Sequence, residues 1–304
     1  MKIGLIDVDG HNFPNLPLMK LSAWHKKNGD SVEFYTPLLT GHCDRVYMSK
    51  VFTFTEDYNY FIDADEIIKG GTGYYYPDGG AALPEEIEHI YPDYDLYNIK
   101  NTAYGFLTRG CPRGCSFCIV EKKEGRKSIK VANLSEFWKD QKNIELLDPN
   151  FFACNQWEEL AQQLIASKAN INFNQGCDIR IMTKEKINAI KQMKIKTVHF
   201  AWDQYSDKEQ IIKKFELFKN ETGWDKRKTP VYVLCGYNTT LAQDIERIEI
   251  LKSLNYWPYV MLYNKDKIPR GHDLRKLQRW VNNRFIFEKV KTFDEYNTKI
   301  IKYK

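Results

Sequence analysis

Short apolar runs and stretches with apolar residues three and four apart alternate along almost the whole chain. At the start, Lys2-Ile-Gly-Leu-Ile-Asp-Val-Asp9 is an apolar run ending in carboxylates, and Pro14 to Lys27 carries apolar residues at helical spacing before Gly29. The two periods predict a strand followed by a helix. Ser31 to Tyr35, Arg45 to Phe52 and Glu66 to Gly71 read as further strands, the last entering the turn Gly70-Gly-Thr-Gly73. Beyond residue 130, helices are predicted over 133–142, 156–167, 184–193, 208–220, 241–254 and 274–282. Between them lie the apolar run 144–147 and the strand text 171–180, 197–203, 231–238 and 259–263. Strands that alternate with helices imply a parallel sheet. Counted from residue 101, the pattern makes about six strand-helix units, fewer than the eight of a closed barrel.

Composition narrows the class. A chain of 304 residues with 43% hydrophobic positions can bury a sizeable core. The net charge of +5 is mild for this length and permits nucleic-acid contact without requiring it. Aromatic residues are abundant at 14%, but many sit in strand-like text such as Tyr232-Val-Leu and Tyr259 to Tyr263, where core packing accounts for them. Mean hydropathy is −0.55, no run of eighteen apolar residues occurs, and Asp7 and Asp9 interrupt the first apolar stretch. These features argue against a membrane span and a signal peptide, so a cytoplasmic protein with free thiols is expected.

The chemistry concentrates in Cys111-Pro-Arg-Gly-Cys115-Ser-Phe-Cys118, which sets three thiols on one short loop. Structural zinc prefers four ligands, commonly in two short-spaced pairs, and Cys43, Cys154, Cys177 and Cys235 are scattered singly. Seven cysteines, an odd number in a long chain, do not make a disulfide framework. A 4Fe-4S cluster usually takes four cysteines, so three on one loop would leave one iron open. Cys154, Cys177 and Cys235 read as small buried hydrophobes, with Cys177 close enough to a strand end to reach the active face. His42, Cys43 and Asp44 are adjacent and more consistent with a turn than with a ligand trio, and His199 and His272 have no evident partner.

The loop resembles the signature of the radical S-adenosylmethionine (SAM) superfamily. The resemblance implies that Cys111, Cys115 and Cys118 hold a 4Fe-4S cluster, that SAM chelates the fourth iron, and that Phe117 lies beside the adenine. It implies reductive cleavage of SAM to a 5′-deoxyadenosyl radical that takes a hydrogen from an unknown substrate, the protein supplying orientation and exclusion of water. Arg109, Arg113, Lys122, Lys123, Arg126 and Lys127 would raise the cluster potential and attract an acidic electron donor such as a flavodoxin or ferredoxin, or else form a solvated loop face.

The wider text Arg109 to Cys118 is similar to members that carry a cobalamin-binding-type domain ahead of the barrel. The implied fold is α/β: an N-terminal Rossmann-like parallel sheet over residues 1–100, a partial (β/α)6 TIM-type barrel over 101–282, and a basic C-terminal tail over 283–304. The first hundred residues match through Gly70 to Gly73 and Leu83 to Glu86. Cobalamin is disfavoured because Asp7-Val-Asp-Gly-His11 departs from the D-x-H-x-x-G spacing that a metal-bound histidine needs. Asp7, Asp9 and His11 end the first strand, where open sheets bind ligands and where turn and cap chemistry is also common.

The resemblance further implies that strand-end polar groups hold SAM, since the C-terminal strand ends form the active face of a parallel barrel. Asp148 and Asn150 follow the second barrel strand and suit SAM's amino group, or else cap backbone groups. Asp178, Arg180 and Asp203 end later strands, and Arg180 suits a bidentate hold on a carboxylate. Gly236 and Tyr237 resemble the segment that passes close to the adenine, although a glycine there also eases a turn. The tail is too short for an appended nucleic-acid-binding domain, and no second cysteine cluster follows the barrel. The expectation is a radical SAM enzyme, with a cobalamin-dependent radical SAM methyltransferase as a variant. A different class remains open: a non-enzymatic protein whose metal staples a basic loop for nucleic-acid binding, with an affinity that falls steeply with salt.

Overall fold

The first apolar run forms β1 (Lys2–Asp7), and the periodic stretch after it forms α1 (Leu16–Lys27). The Asn15 side chain accepts the Leu18 N–H at the start of α1, and His25, Lys26 and Lys27 occupy its last turn, where cations suit the helix dipole. β2 (Ser31–Phe34), β3 (Cys43–Ser49) and β4 (Ala64–Gly70) complete a parallel sheet in the order β2-β1-β3-β4. Ile3 and Leu5 pack on one face with Leu18, Leu21 and Ile87, the last from α2 (Glu85–Glu88). Ile6, Val46 and Met48 pack on the other with Tyr35 and Cys43. The links β2 to β3 and β3 to β4 contain no helix, so Tyr58, Ile62 and Tyr74 from loops cover this second face.

A computed structural model describes residues 1–10 and 12–302, with side chains through 297. The chain divides into two units, Met1–Ala169 and Asn170–Lys304, and the boundary expected near residue 100 falls inside the first. The first unit continues with β5 (Thr102–Gly105), β6 (Thr108–Arg109), α3 (Val120–Glu124), β7 (Ile129–Lys130), β8 (Asn143–Leu146) and α4 (Trp157–Ser167). β5 pairs in parallel with β8, and β6 pairs antiparallel with β7. The helix predicted over 133–142 is not formed. Its start makes one 3-10 turn, Leu134–Glu136, held by a capping box between Asn133 and Glu136. Gln141 then accepts the Trp138 indole N–H on its carbonyl and the Lys139 N–H on its side chain, which closes the segment locally.

The second unit alternates strictly: β9 (Asn170–Cys177), α5 (Lys184–Gln192), β10 (Ile195–Ala201), α6 (Lys208–Thr222), β11 (Pro230–Cys235), α7 (Leu241–Ser253), β12 (Trp257–Leu262) and α8 (Asp273–Asn282). The strands are parallel in the order β12-β11-β10-β9. Phe200 meets Phe218 at 4.9 Å, Phe215 meets Tyr256 at 4.5 Å, and all four are buried. The segment expected as a basic tail over 283–304 contains α9 (Arg284–Lys289) and α10 (Phe293–Lys302). Phe287 and Phe293 stand 5.0 and 5.8 Å from Trp280, so apolar positions hidden among lysines and arginines anchor the segment. The side chains of Lys299, Lys302 and Lys304 lie outside the described residues.

Candidate metal centre

The three-thiol loop is an excursion closed by β6 and β7, with Thr108 opposite Lys130 and Arg109 opposite Ile129. Gly110 opens it at φ +85°, and a Cβ there would lie 2.1 Å from the Lys127 carbonyl oxygen, so no other residue fits. Glu124, at the end of α3, accepts from the Arg109 guanidinium and from the Gly110 N–H, both at 3.0 Å. The Cys111 N–H donates to the Gly125 carbonyl at 3.2 Å, and the Cys118 N–H to the Cys115 carbonyl at 2.9 Å. Cys111 and Cys115 are half-buried and Cys118 is exposed, whereas Cys43, Cys154, Cys177 and Cys235 are buried. Phe117 is half-buried between the second and third cysteines. Among the described residues, no three His, Cys, Asp or Glu side chains converge as the ligands of one metal ion would. The basic character of the loop is partly neutralised, since Arg109 meets Glu124 and lies 3.6 Å from the Phe106 ring centre, and Arg126 meets Glu121.

Asp148 and Asn150, two residues apart after β8, have different surroundings. Asp148 is buried, and its two oxygens accept the Leu107 N–H at 3.2 Å, the Thr108 N–H at 2.5 Å and the Thr108 hydroxyl at 2.7 Å. It therefore ties the approach to the cysteine loop. Burial pushes its carboxyl up to about 6 despite these donors. Asn150 is only 2% exposed, and its side chain does not cap the 3-10 turn that follows it. Its Nδ2 instead donates to the Cys111 sulfur at 3.4 Å, while its Oδ1 is buried with no hydrogen-bond partner. A buried acceptor without a donor costs about 1–3 kcal/mol. Three thiols thus share one closed loop, and one of them receives an amide N–H beside that unmet acceptor.

In the second unit, Asp178 follows β9 and accepts the Arg180 N–H at 3.1 Å. Arg180 is held by Asp178 at 2.8 Å and by Asp207 at 2.5 Å. Burial pulls its guanidinium pKa down and the two carboxylates more than offset this, leaving it raised. Asp203, after β10, accepts the Leu234 N–H at 3.2 Å, and burial raises its carboxyl pKa. Gly236 takes φ +78° after β11, and a Cβ there would lie 2.8 Å from the Leu274 side chain. Tyr237 packs edge-on to Tyr263 at 4.7 Å.

Sequence reasoning missed the group that organises these strand ends. Asp244 and Arg247 of α7 form a fully buried ion pair at 2.5 Å. Arg247 donates to the carbonyls of Trp202 at 2.6 Å, Asp203 at 3.2 Å and Leu234 at 2.8 Å, and Asp244 accepts the Gly236 N–H at 3.0 Å. One helix thus fixes the backbone after both β10 and β11. The available signal was two charges on the apolar stripe of Leu241, Ile248 and Leu251.

Other candidates disperse. Asp7 accepts the Tyr97 hydroxyl at 2.6 Å, Asp9 accepts the Val51 and Phe52 N–H groups and the Thr55 hydroxyl, and His11 lies outside the described residues. Gly71 and Gly73 pack on Lys50, whose carbonyl oxygen and Cγ would stand 2.3 and 2.4 Å from their added Cβ atoms. His42 turns to Asp63 and Asp65, Cys43 is buried, and Asp44 accepts the Lys2 N–H, so the adjacent trio does not converge. His199 stacks on Tyr232 at 5.1 Å, and His272 accepts the Leu274 N–H at the start of α8. No family model matches the chain, and no curated protein is similar enough to it to count as a relative.

Proposed function

We propose that the chain is a radical SAM enzyme in which Cys111, Cys115 and Cys118 hold a 4Fe-4S cluster and the fourth iron takes SAM. The observation that carries this reading is the closed three-thiol loop with Asn150 beside it, one end of the amide on the Cys111 sulfur and the other a buried acceptor lacking a donor. SAM's amino group has the hydrogen that this acceptor needs. When bound and reduced, the cluster supplies the electron that cleaves SAM to a 5′-deoxyadenosyl radical.

The protein's part is positioning. The Asn150 N–H on the Cys111 sulfur would raise the potential of a cluster held there. Asp148 and Glu124 fix the two ends of β6, from which the loop departs. Phe117, half-buried between the second and third cysteines, suits an adenine face. In the second unit, Arg180 is already held by Asp178 and Asp207, while Asp203 suits a ribose hydroxyl and Gly236 with Tyr237 an adenine. Exposed Arg113, Lys122 and Lys127 near exposed Cys118 suit an acidic electron donor. Within the second unit the four parallel strands β9 to β12 alternating with helices support a barrel-type fold, and the four-stranded sheet of the first supports a Rossmann-like domain.

Cobalamin is disfavoured by the spacing of Asp7-Val-Asp-Gly-His11, and Gly71 and Gly73 of the glycine-rich turn pack on Lys50. The nucleic-acid reading is weakened by the pairing of Arg109 and Arg126 with glutamates inside the loop. Anaerobic reconstitution with iron and sulfide tests the proposal. It predicts about four irons per chain, an EPR signal of the reduced cluster that SAM perturbs, and loss of both in the Cys111/Cys115/Cys118→Ala variant. Zinc in place of iron, or a cluster indifferent to SAM, would contradict it.

A further inference from the structure

β4 ends the four-stranded sheet, and among the described residues no strand pairs with its outer edge. Asp65, Glu66, Ile67, Ile68 and Lys69 are all exposed, so both faces of the strand are open along most of its length. Isoleucines 44% and 36% exposed on a bare edge are a template for another strand. We propose that β4 pairs antiparallel with β4 of a second copy of this chain about a two-fold axis through Ile67, giving one continuous eight-stranded sheet.

The register follows from symmetry and charge. A two-fold axis that sets a copy beside this edge runs normal to the sheet, so residues that oppose each other point to the same face. Only registers centred on a residue meet this condition. Centring on Ile67 sets Asp65 opposite the partner's Lys69, Lys69 opposite the partner's Asp65, and Ile67 against its own copy. Glu66 then opposes the partner's Ile68, and the two copies of Ile68 are diagonal neighbours. Centring on Glu66 would oppose two carboxylates, and centring on Ile68 would oppose Ile67 with lysine. Charges that keep other edge strands apart therefore select one pairing here.

The sheet is ready for the extension. Ile67 lies beside Val46 in the β3 to β4 register, so an Ile67 pair continues an apolar row that begins in the core. Asp65 stands 3.3 Å from His42, and Lys69 stands 3.5 Å from Asp57, both in exposed pairs that leave room for a cross-strand partner. The inference rests on strand geometry and is independent of the cluster chemistry.

Sedimentation equilibrium of the full chain, from about 1 to about 100 µM, tests it. The mass is expected to rise from 35.9 kDa toward twice that value. Lys69→Glu makes both cross-strand pairs repulsive and should move the midpoint to at least tenfold higher concentration, and Ile67→Lys should abolish dimers. The Asp65→Lys/Lys69→Glu double variant restores opposite charges and should recover the dimer. Unchanged thermal midpoints would show that these exposed substitutions leave the fold intact. A parent that stays monomeric, a dimer indifferent to all three variants, or a double variant that fails to recover would each overturn the proposal.

Discussion

Asp148 and Asn150 show how far a residue's role depends on its neighbours. Both stood out in the sequence as polar groups after a strand, with capping and ligand contact equally open. The fold separates them: Asp148 is consumed by Leu107 and Thr108, while Asn150 reaches Cys111. Asp148→Asn removes one of the acceptors and should cost about 1–3 kcal/mol in denaturant unfolding. The folded Asp148 pKa lies above its ordinary value, so the folded state binds the proton more tightly and the contribution from this group is lost as pH rises from about 4 through about 6. The stability advantage of parent over Asp148→Asn should therefore shrink by up to about 3 kcal/mol across that interval, as read from denaturation midpoints at stepped pH. An advantage that grows with pH would contradict the assignment. Asn150→Leu should keep the cluster yet slow SAM cleavage about 10- to 100-fold, the equivalent of one hydrogen bond to a charged group, as measured by 5′-deoxyadenosine formation.

At the scale of elements, most strands and helices were legible because apolar periods of two and 3.6 are imposed by burial on one face. The segment 133–142 escaped because its polar side chains close local turns that compete with a helix, and α9 and α10 escaped because net charge masked their apolar positions. Removing residues 283–304 should expose Trp280 and Leu277 and lower stability by several kcal/mol, at about 1.5–3 kcal/mol per large apolar side chain lost, as measured by circular dichroism melts; an unchanged melt would contradict the packing. The Asp244 and Arg247 pair was not legible, since charges on helices ordinarily face solvent and only the fold shows three carbonyls and a turn N–H converging there. Arg247→Met leaves a buried uncompensated carboxylate and should cost about 3–5 kcal/mol, whereas Asp244→Leu with Arg247→Met should recover part of that loss. Equal losses in the single and double variants would show that the ion pair is not the source of the cost.

For the whole molecule, alternation of strands and helices announced an α/β chain with parallel sheets, and the structure has them. The division at Ala169 was not legible, because local periodicity carries no information about which strands share a unit. The placing of three thiols on one loop was legible from their spacing, whereas Asn150's contact and the role of α7 depend on long-range packing and were not. The most direct test of the central claim is to quantify 5′-deoxyadenosine after anaerobic incubation of the reconstituted protein with dithionite and SAM, beside the Cys111/Cys115/Cys118→Ala variant. The account predicts product from the parent and none above background from the variant. An iron-loaded parent that binds SAM and yields no 5′-deoxyadenosine would contradict it.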